Sequence, residues 1–334
     1  VWLGAGPLLV ALLYLASELV MGTGWNFVMV RTRYPEIKLR MRRAPRRAIV
    51  SAARELRWYS TFQFNAYVMA GFPVLAIAWL GMSGVGLASF AIQRTLVNFS
   101  RTIAATFSAA VGVELATLDR NRDSGQLVTG LIAIAMLNVA LIGLTTVGLL
   151  FFGKAVIGVW TGRSELGSLV TLGLLLVPII MIAPMSAMAM VTIYSGVPKP
   201  QAIGTGVQLL ISVPLCVIFG RLFGIPGVAA GLAIGEVIGI GVVLPALSVH
   251  QFHVPVRRLL SKSASYFLLT VAWASGSAIA VTAVIRPSTT LTTLASLAIW
   301  GIVAGGPVFL AALPPRQRTR ILSFAGQLRY RGAR

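Results

Sequence analysis

The sequence predicts an all-α fold, a polytopic bundle of transmembrane helices. Three observations carry this. Apolar runs recur along the whole 334-residue chain, each near the roughly 20 residues that a helix needs to cross the hydrocarbon layer. Only 11% of residues are charged, against about 25% in a soluble domain. Basic residues are also segregated into alternate connections. A membrane β-barrel would alternate polar and apolar residues over short segments, and no segment here does so.

Taken in order, nine spans are expected, at roughly 6–30, 58–80, 84–113, 127–152, 168–194, 201–223, 227–249, 263–285 and 291–313. Tight Gly/Pro turns join several of them: "GMSG" at 81–84, "SGVPKP" at 195–200 and "GIPG" at 224–227. Connections this short force antiparallel neighbours. The connections 31–57, 114–126, 195–200 and 250–262 and the tail 314–334 hold 22 Lys or Arg, whereas the opposite connections hold Lys154, Arg163 and Arg286. By the positive-inside rule the C-terminus is cytoplasmic and residue 1 lies outside. An external start with no signal peptide and an odd span count predict that upstream spans are missing.

The net charge of +20 is accounted for by this topology. The basic stretches lack the aromatic interleaving of a nucleic-acid platform, so no nucleic-acid partner is expected. Segment 31–57 is read as a basic loop, or as an amphipathic helix on the inner membrane surface with Ile49, Ala52, Ala53 and Leu56 on one side. A single cysteine, Cys216, excludes an internal disulfide. His250 and His253 stand without further ligands nearby, so no metal is expected. No Walker A, nucleophile-elbow or HExxH motif occurs. Neither an enzymatic activity nor a cofactor is expected.

The third span carries the most informative constellation. Arg94 and Arg101 are seven residues apart, close to two helical turns, and share a face with Asn98. Leu96, Phe99, Ile103 and Phe107 form the other face. An arginine facing lipid at mid-bilayer costs about 2.5–3.5 kcal/mol on insertion scales, so the cationic stripe should face protein or a water-filled cavity. Two readings follow. Buried carboxylates or backbone carbonyls satisfy the guanidiniums, or the guanidiniums line a cavity for an anionic substrate, which a planar fork pairs bidentately. Glu18 and Glu236 lie near the middle of their spans. They are candidates for coupling to H⁺ or Na⁺ and equally for an ion pair with Arg94, Arg101 or Arg221. In the seventh span Gly227, Gly231, Gly235 and Gly239 repeat every four residues, a ridge for close helix contact. Pro73, Pro178, Pro184, Pro214, Pro245 and Pro307 fall inside spans and free backbone carbonyls.

Several stretches resemble a known family. "FFGKAVIGVWTG" (151–162) is similar to an outer-loop pattern of polysaccharide-export flippases. "TIYSGVPKPQAIGTGVQLLISVPLCVIFGRLFGIPGVAAGLAIGEVI" (192–238) resembles their long signature, and "RTRYPEIKLR" (31–40) resembles the loop joining their two lobes. The family is the Wzx-like and MurJ-like branch of the multidrug/oligosaccharidyl-lipid/polysaccharide (MOP) exporter superfamily. The resemblance implies the last span of a mostly missing first lobe at 1–30, an inter-lobe linker at 31–57 and a second six-helix lobe at 58–249. Two additional C-terminal spans at 250–313 and a basic cytoplasmic tail at 314–334 complete it.

It further implies a cationic central cavity and alternating-access transfer of undecaprenyl-pyrophosphate-linked oligosaccharide, from the inner to the outer leaflet of the bacterial inner membrane. Arg94 matches a family cavity position, and Arg101 with Asn98 would assist it. Gln63 and Asn65 in the preceding span would hydrogen-bond sugar hydroxyls. Membrane lipids and the polysaccharide polymerase machinery are the further partners implied. Two alternatives stand beside this reading. One is a multidrug exporter of cations relying on Glu18 or Glu236. The other is a non-transporting scaffold for cell-envelope synthesis.

Overall fold

The structure is a computed structural model that describes residues 16, 20, 24, 28, 31, 32, 45–120, 124–252, 255–285 and 289–312. The chain divides into two compact units, Val1–Ala53 and Arg54–Arg334. Among the described residues of the first unit, Thr32 returns its hydroxyl to the Val28 carbonyl at 2.9 Å, as a helical threonine does.

The described residues form helices throughout: α1 (Arg46–Trp79), α2 (Gly84–Arg120), α3 (Ser124–Thr161), α4 (Leu169–Ile182), α5 (Ser186–Tyr194), α6 (Lys199–Glu236), α7 (Leu244–Phe252), α8 (Val256–Val284) and α9 (Thr290–Ala312). Seven helical stretches among them are long and apolar enough to cross a membrane. This is an integral membrane protein.

The expected count of nine spans is not confirmed by the described residues, which give seven such stretches. The span at 6–30 lies almost wholly outside the described residues. The spans at 201–223 and 227–249 form one apolar stretch, Lys199–Val249, of 51 residues. Straight, it would be ~77 Å long at 1.5 Å per residue, far beyond a hydrocarbon layer of about 30 Å. It is instead folded in half at Gly224, whose φ of 65° and ψ of −141° belong to a region that only glycine enters without strain.

The glycine ridge explains why the two limbs close on each other. A Cβ on Gly227 would run into the Phe219 carbonyl, one on Gly231 into Cys216 N at 2.5 Å, one on Gly235 into Ser212, and one on Gly239 into Gly204 and Gln208. Each glycine therefore meets the opposite limb's backbone, in antiparallel register. Lipid tails are as apolar as the helices, so this contact is held by close packing and hydrogen bonds. Ser212 Oγ donates to Leu232 O at 3.4 Å within the seam.

Other boundaries also moved. The basic stretch 46–57 is the start of α1 itself, not a separate surface helix. Isoleucine, alanine and leucine there continue the helical spacing of the span, so nothing breaks the helix. The expected outer loop 153–167 is mostly the end of α3, which runs to Thr161 and turns at Gly162 with φ 72°. The fifth span divides into α4 and α5 around a 3₁₀ turn at Ala183–Met185, where Pro184 removes an amide donor.

Helices α8 and α9 pack against α3. The Phe152 and Trp300 rings pack with centroids 5.6 Å apart, tilted by 52°, and Trp300 Nε1 donates to Ala274 O at 3.0 Å. Gly148 leaves room for the Trp300 ring, because a Cβ there would stand 2.9 Å from it. Neither α8 nor α9 contributes to the cavity described next.

Candidate functional site: a cationic cavity at mid-membrane

Two tryptophans frame the depth of the site. Trp58 and Trp79 are 21 residues apart on α1, about 31 Å along a helix, which matches the hydrocarbon thickness. Each ring carries cations. Arg57 and Lys199 lie 4.8 and 5.8 Å from the Trp58 ring centre, and Arg221 lies 5.9 Å from that of Trp79. Amphipathic rings with cationic neighbours are the usual occupants of the two membrane–water interfaces. Helix α1 and the first limb of α6 thus run parallel, and Asn65 Nδ2 donates to Thr205 Oγ1 at 3.2 Å between them.

Met69 stands midway between the two tryptophans, and Arg94 of α2 reaches it. Arg94 Nη2 donates to Met69 O at 2.6 Å, and Nη1 donates to Ala70 O at 2.7 Å. The cause is Pro73 inside α1. Proline has no amide hydrogen, so the carbonyl four residues earlier, that of Met69, loses its helical donor. In the bilayer core no water is at hand to replace it. The guanidinium supplies the missing donor, and the carbonyls disperse its charge.

Arg101 is held differently. Its Nη1 lies 2.5 Å from Glu236 Oε1, an ion pair with the carboxylate side chain 6% exposed and the guanidinium 43% exposed. Glu236 ends the helical part of α6 and is followed by a π-helical turn, Val237–Val243. Such wide turns are frequent at functional sites.

These groups share one cavity of about 380 Å³. Arg94, Asn98 and Arg101 line it from α2, Gln201, Thr205 and Gln208 from the first limb of α6, and Glu236 from the second limb. Met69 and Ala70 contribute from α1 and Ser186 from α5. Two guanidiniums against one carboxylate leave the lining formally cationic. The rest of the wall is apolar: Leu175, Ile179, Leu232 and their neighbours.

The expected residues fare unevenly. Arg94, Asn98, Arg101 and Glu236 come together in the cavity. Asn65 is buried behind it and spends its amide on Thr205, so it positions a wall residue rather than lining the wall itself. Gln63 is exposed and lies outside the lining. It is two residues from Asn65 on a helix, hence about 200° round the axis, and the two cannot serve one site. Glu18 lies outside the described residues. The alternative expected for the arginines, satisfaction by protein groups, holds for both of them, alongside their place in the cavity wall.

Sequence reasoning missed Gln201, Thr205 and Gln208. All three are buried, and they recur at i, i+4 and i+7 in an otherwise apolar span, the same helical spacing that singled out the arginines. Gln201 Oε1 is buried with no hydrogen-bond partner among the described residues. No group of His, Cys, Asp or Glu able to hold a metal occurs among the described residues.

An integral membrane helix bundle with a polar, cationic internal cavity is the class that fold and site define. Comparison with protein-family models, with curated proteins and with solved structures gives no match for this chain.

Proposed function

We propose that this chain is part of a flippase of the bacterial inner membrane. It moves undecaprenyl-pyrophosphate-linked oligosaccharide from the inner to the outer leaflet by alternating access, with its C-terminus in the cytoplasm. The observation that supports this most is the position of Arg94 and Arg101 in one cavity near the middle of the membrane. A pyrophosphate headgroup crossing the bilayer needs counter-charges there, and a guanidinium in a low-dielectric wall supplies them strongly. Arg94 uses two of its five N–H donors on Met69 and Ala70, which fixes the fork in place and leaves donors for a ligand. Arg101 has a carboxylate that an incoming phosphate displaces, so Glu236 is released as substrate binds. Gln201, Gln208 and Asn98 supply amides for sugar hydroxyls, in place of Gln63 and Asn65.

A cation exporter of the multidrug type is supported by one observation, the buried Glu236 in the cavity wall. Its pairing with Arg101 and the cationic balance of the lining favour the anionic substrate.

The test is binding of undecaprenyl pyrophosphate, against neutral undecaprenol, to the purified protein in nanodiscs. The pyrophosphate lipid should bind and undecaprenol should not, and Arg101→Ala should weaken binding at unchanged protein folding. Equal binding of both lipids, or tighter binding of an organic cation that Glu236→Gln abolishes, would reject the flippase reading.

A further inference from the structure

Away from the cavity, at the basic end of the bundle, two cations from different helices meet one indole ring. Arg57 Cζ of α1 and Lys199 Nζ of α6 lie 4.8 and 5.8 Å from the Trp58 ring centre. The flanking backbone is fixed. Tyr59 OH donates to Ile193 O at 3.1 Å, tying α1 to the end of α5, just before the turn into α6. That turn is held by Val197 N on Thr192 O at 2.9 Å. Asp119 accepts from Ser195 Oγ of this turn at 3.0 Å. Among the described residues neither Arg57 nor Lys199 takes part in an ion pair.

Two exposed cations held around one ring repel each other, and the indole offsets only part of that charge. A cation–π contact at an exposed site contributes about 0.5–1 kcal/mol. The depth identifies what completes the site. Trp58 lies at one of the two levels set by the Trp58–Trp79 spacing of about 31 Å along α1, the level of lipid headgroups. Along the sequence, Trp58 directly follows the stretch 31–57, which is rich in Lys and Arg, a charge pattern that attracts anionic lipids. Helix α1 and the first limb of α6 run parallel here, so an acyl chain can follow them below the headgroup.

We propose that Arg57, Trp58 and Lys199 form a binding site for the phosphodiester headgroup of an anionic phospholipid. The phosphate sits between the two cationic tips, and the indole packs on the glycerol and upper acyl segment. The flexible stems of Arg57 and Lys199 let both tips close on one phosphate, and the guanidinium contributes a fork where the ammonium contributes a point charge. The other end of the same helix pair serves as an internal control. Among the described residues Trp79 has Arg221 alone, one cation and no converging pair, so no phosphate site is expected there. This inference is independent of the flippase reading.

The experiment is native mass spectrometry of the full chain released from nanodiscs of mixed phosphatidylglycerol and phosphatidylcholine, together with thermal unfolding in each lipid. The wild type should retain a phosphatidylglycerol adduct and melt higher in phosphatidylglycerol than in phosphatidylcholine. The pair Arg57→Gln with Lys199→Gln should lose both the adduct and the melting difference. These exposed side chains can be changed without opening the core, and circular dichroism checks the fold. Arg221→Gln and Arg101→Ala should keep the adduct. Retention of phosphatidylglycerol by the Arg57/Lys199 variant would overturn the proposal. So would equal loss in Arg221→Gln, which would mean that any interfacial cation suffices. Displacement of the adduct by millimolar inorganic phosphate would assign the site to free anions and overturn the lipid source.

Discussion

Arg94 donates to the Met69 carbonyl that Pro73 leaves without a helical partner. One residue removes a donor from α1 and another, on α2, restores it. A permanent charge at the middle of the membrane is thereby held by two backbone carbonyls. Loss of the arginine should leave the Met69 carbonyl unpaired, which costs about 1–3 kcal/mol where an acceptor is buried.

The coupling between these two residues is measurable. Arg94→Ala should destabilise the protein in detergent, and Pro73→Ala should return the Met69 carbonyl to the helix. In the Pro73→Ala background the cost of Arg94→Ala should shrink by about 1 kcal/mol or more. A double-mutant cycle from denaturation midpoints reads this directly. Additive costs would mean that the arginine does not act through the proline's vacancy.

Glu236 competes with any anion for Arg101. Glu236→Gln should therefore tighten binding of undecaprenyl pyrophosphate, whereas Arg101→Ala weakens it. The cost to stability is smaller than the 3–5 kcal/mol of a fully buried pair broken on one side, because Arg101 is 43% exposed and solvent screens it. Titration of each variant with the lipid in nanodiscs checks the sign. Weaker binding by Glu236→Gln would show that the carboxylate aids the ligand.

Gln201 carries a buried oxygen without a partner. Gln201→Leu removes that polar atom at similar volume, so the variant should be at least as stable as the wild type by thermal unfolding. Binding of a sugar-bearing pyrophosphate lipid should fall, while binding of bare undecaprenyl pyrophosphate should not. A loss of both to the same degree would place Gln201 at the phosphate.

The seam of the α6 hairpin should not tolerate side chains. Gly231→Leu and Gly235→Leu place atoms where the opposite backbone already stands, and overpacking commonly costs about 1–3 kcal/mol. Gly276→Ala is the control, since a Cβ there meets nothing within 4 Å. Its melting point should hold or rise, because alanine favours helix over glycine by about 1 kcal/mol. Unchanged melting for both leucine variants would count against the register.

Much of this was legible in the residues because a bilayer reduces folding to few choices. Apolar length alone dictates helices, so each span expected from residue 58 onward coincides with a helical stretch, although α1 begins at Arg46, before the expected 58, and α3 runs to Thr161, past the expected 152. The four-residue glycine period announced a close contact, and the seven-residue arginine period announced a face turned from lipid. Those are properties of one helix, and one helix is what a sequence window describes.

Partnership between helices lay beyond that reach. Which limb meets the glycine ridge, and that Arg101 finds Glu236 while Arg94 finds Met69 and Ala70, depend on segments tens to more than a hundred residues apart. In a membrane every helix offers similar apolar surface, so hydropathy does not choose among neighbours. Gln63 and Asn65 illustrate the limit: both are polar amides two residues apart, yet one is buried against Thr205 and the other is exposed. The sequence by itself determined that this protein is a helical membrane bundle with charges it must hide. Only the tertiary structure decided where they hide, because the donors and acceptors that satisfy them become adjacent only when the helices pack.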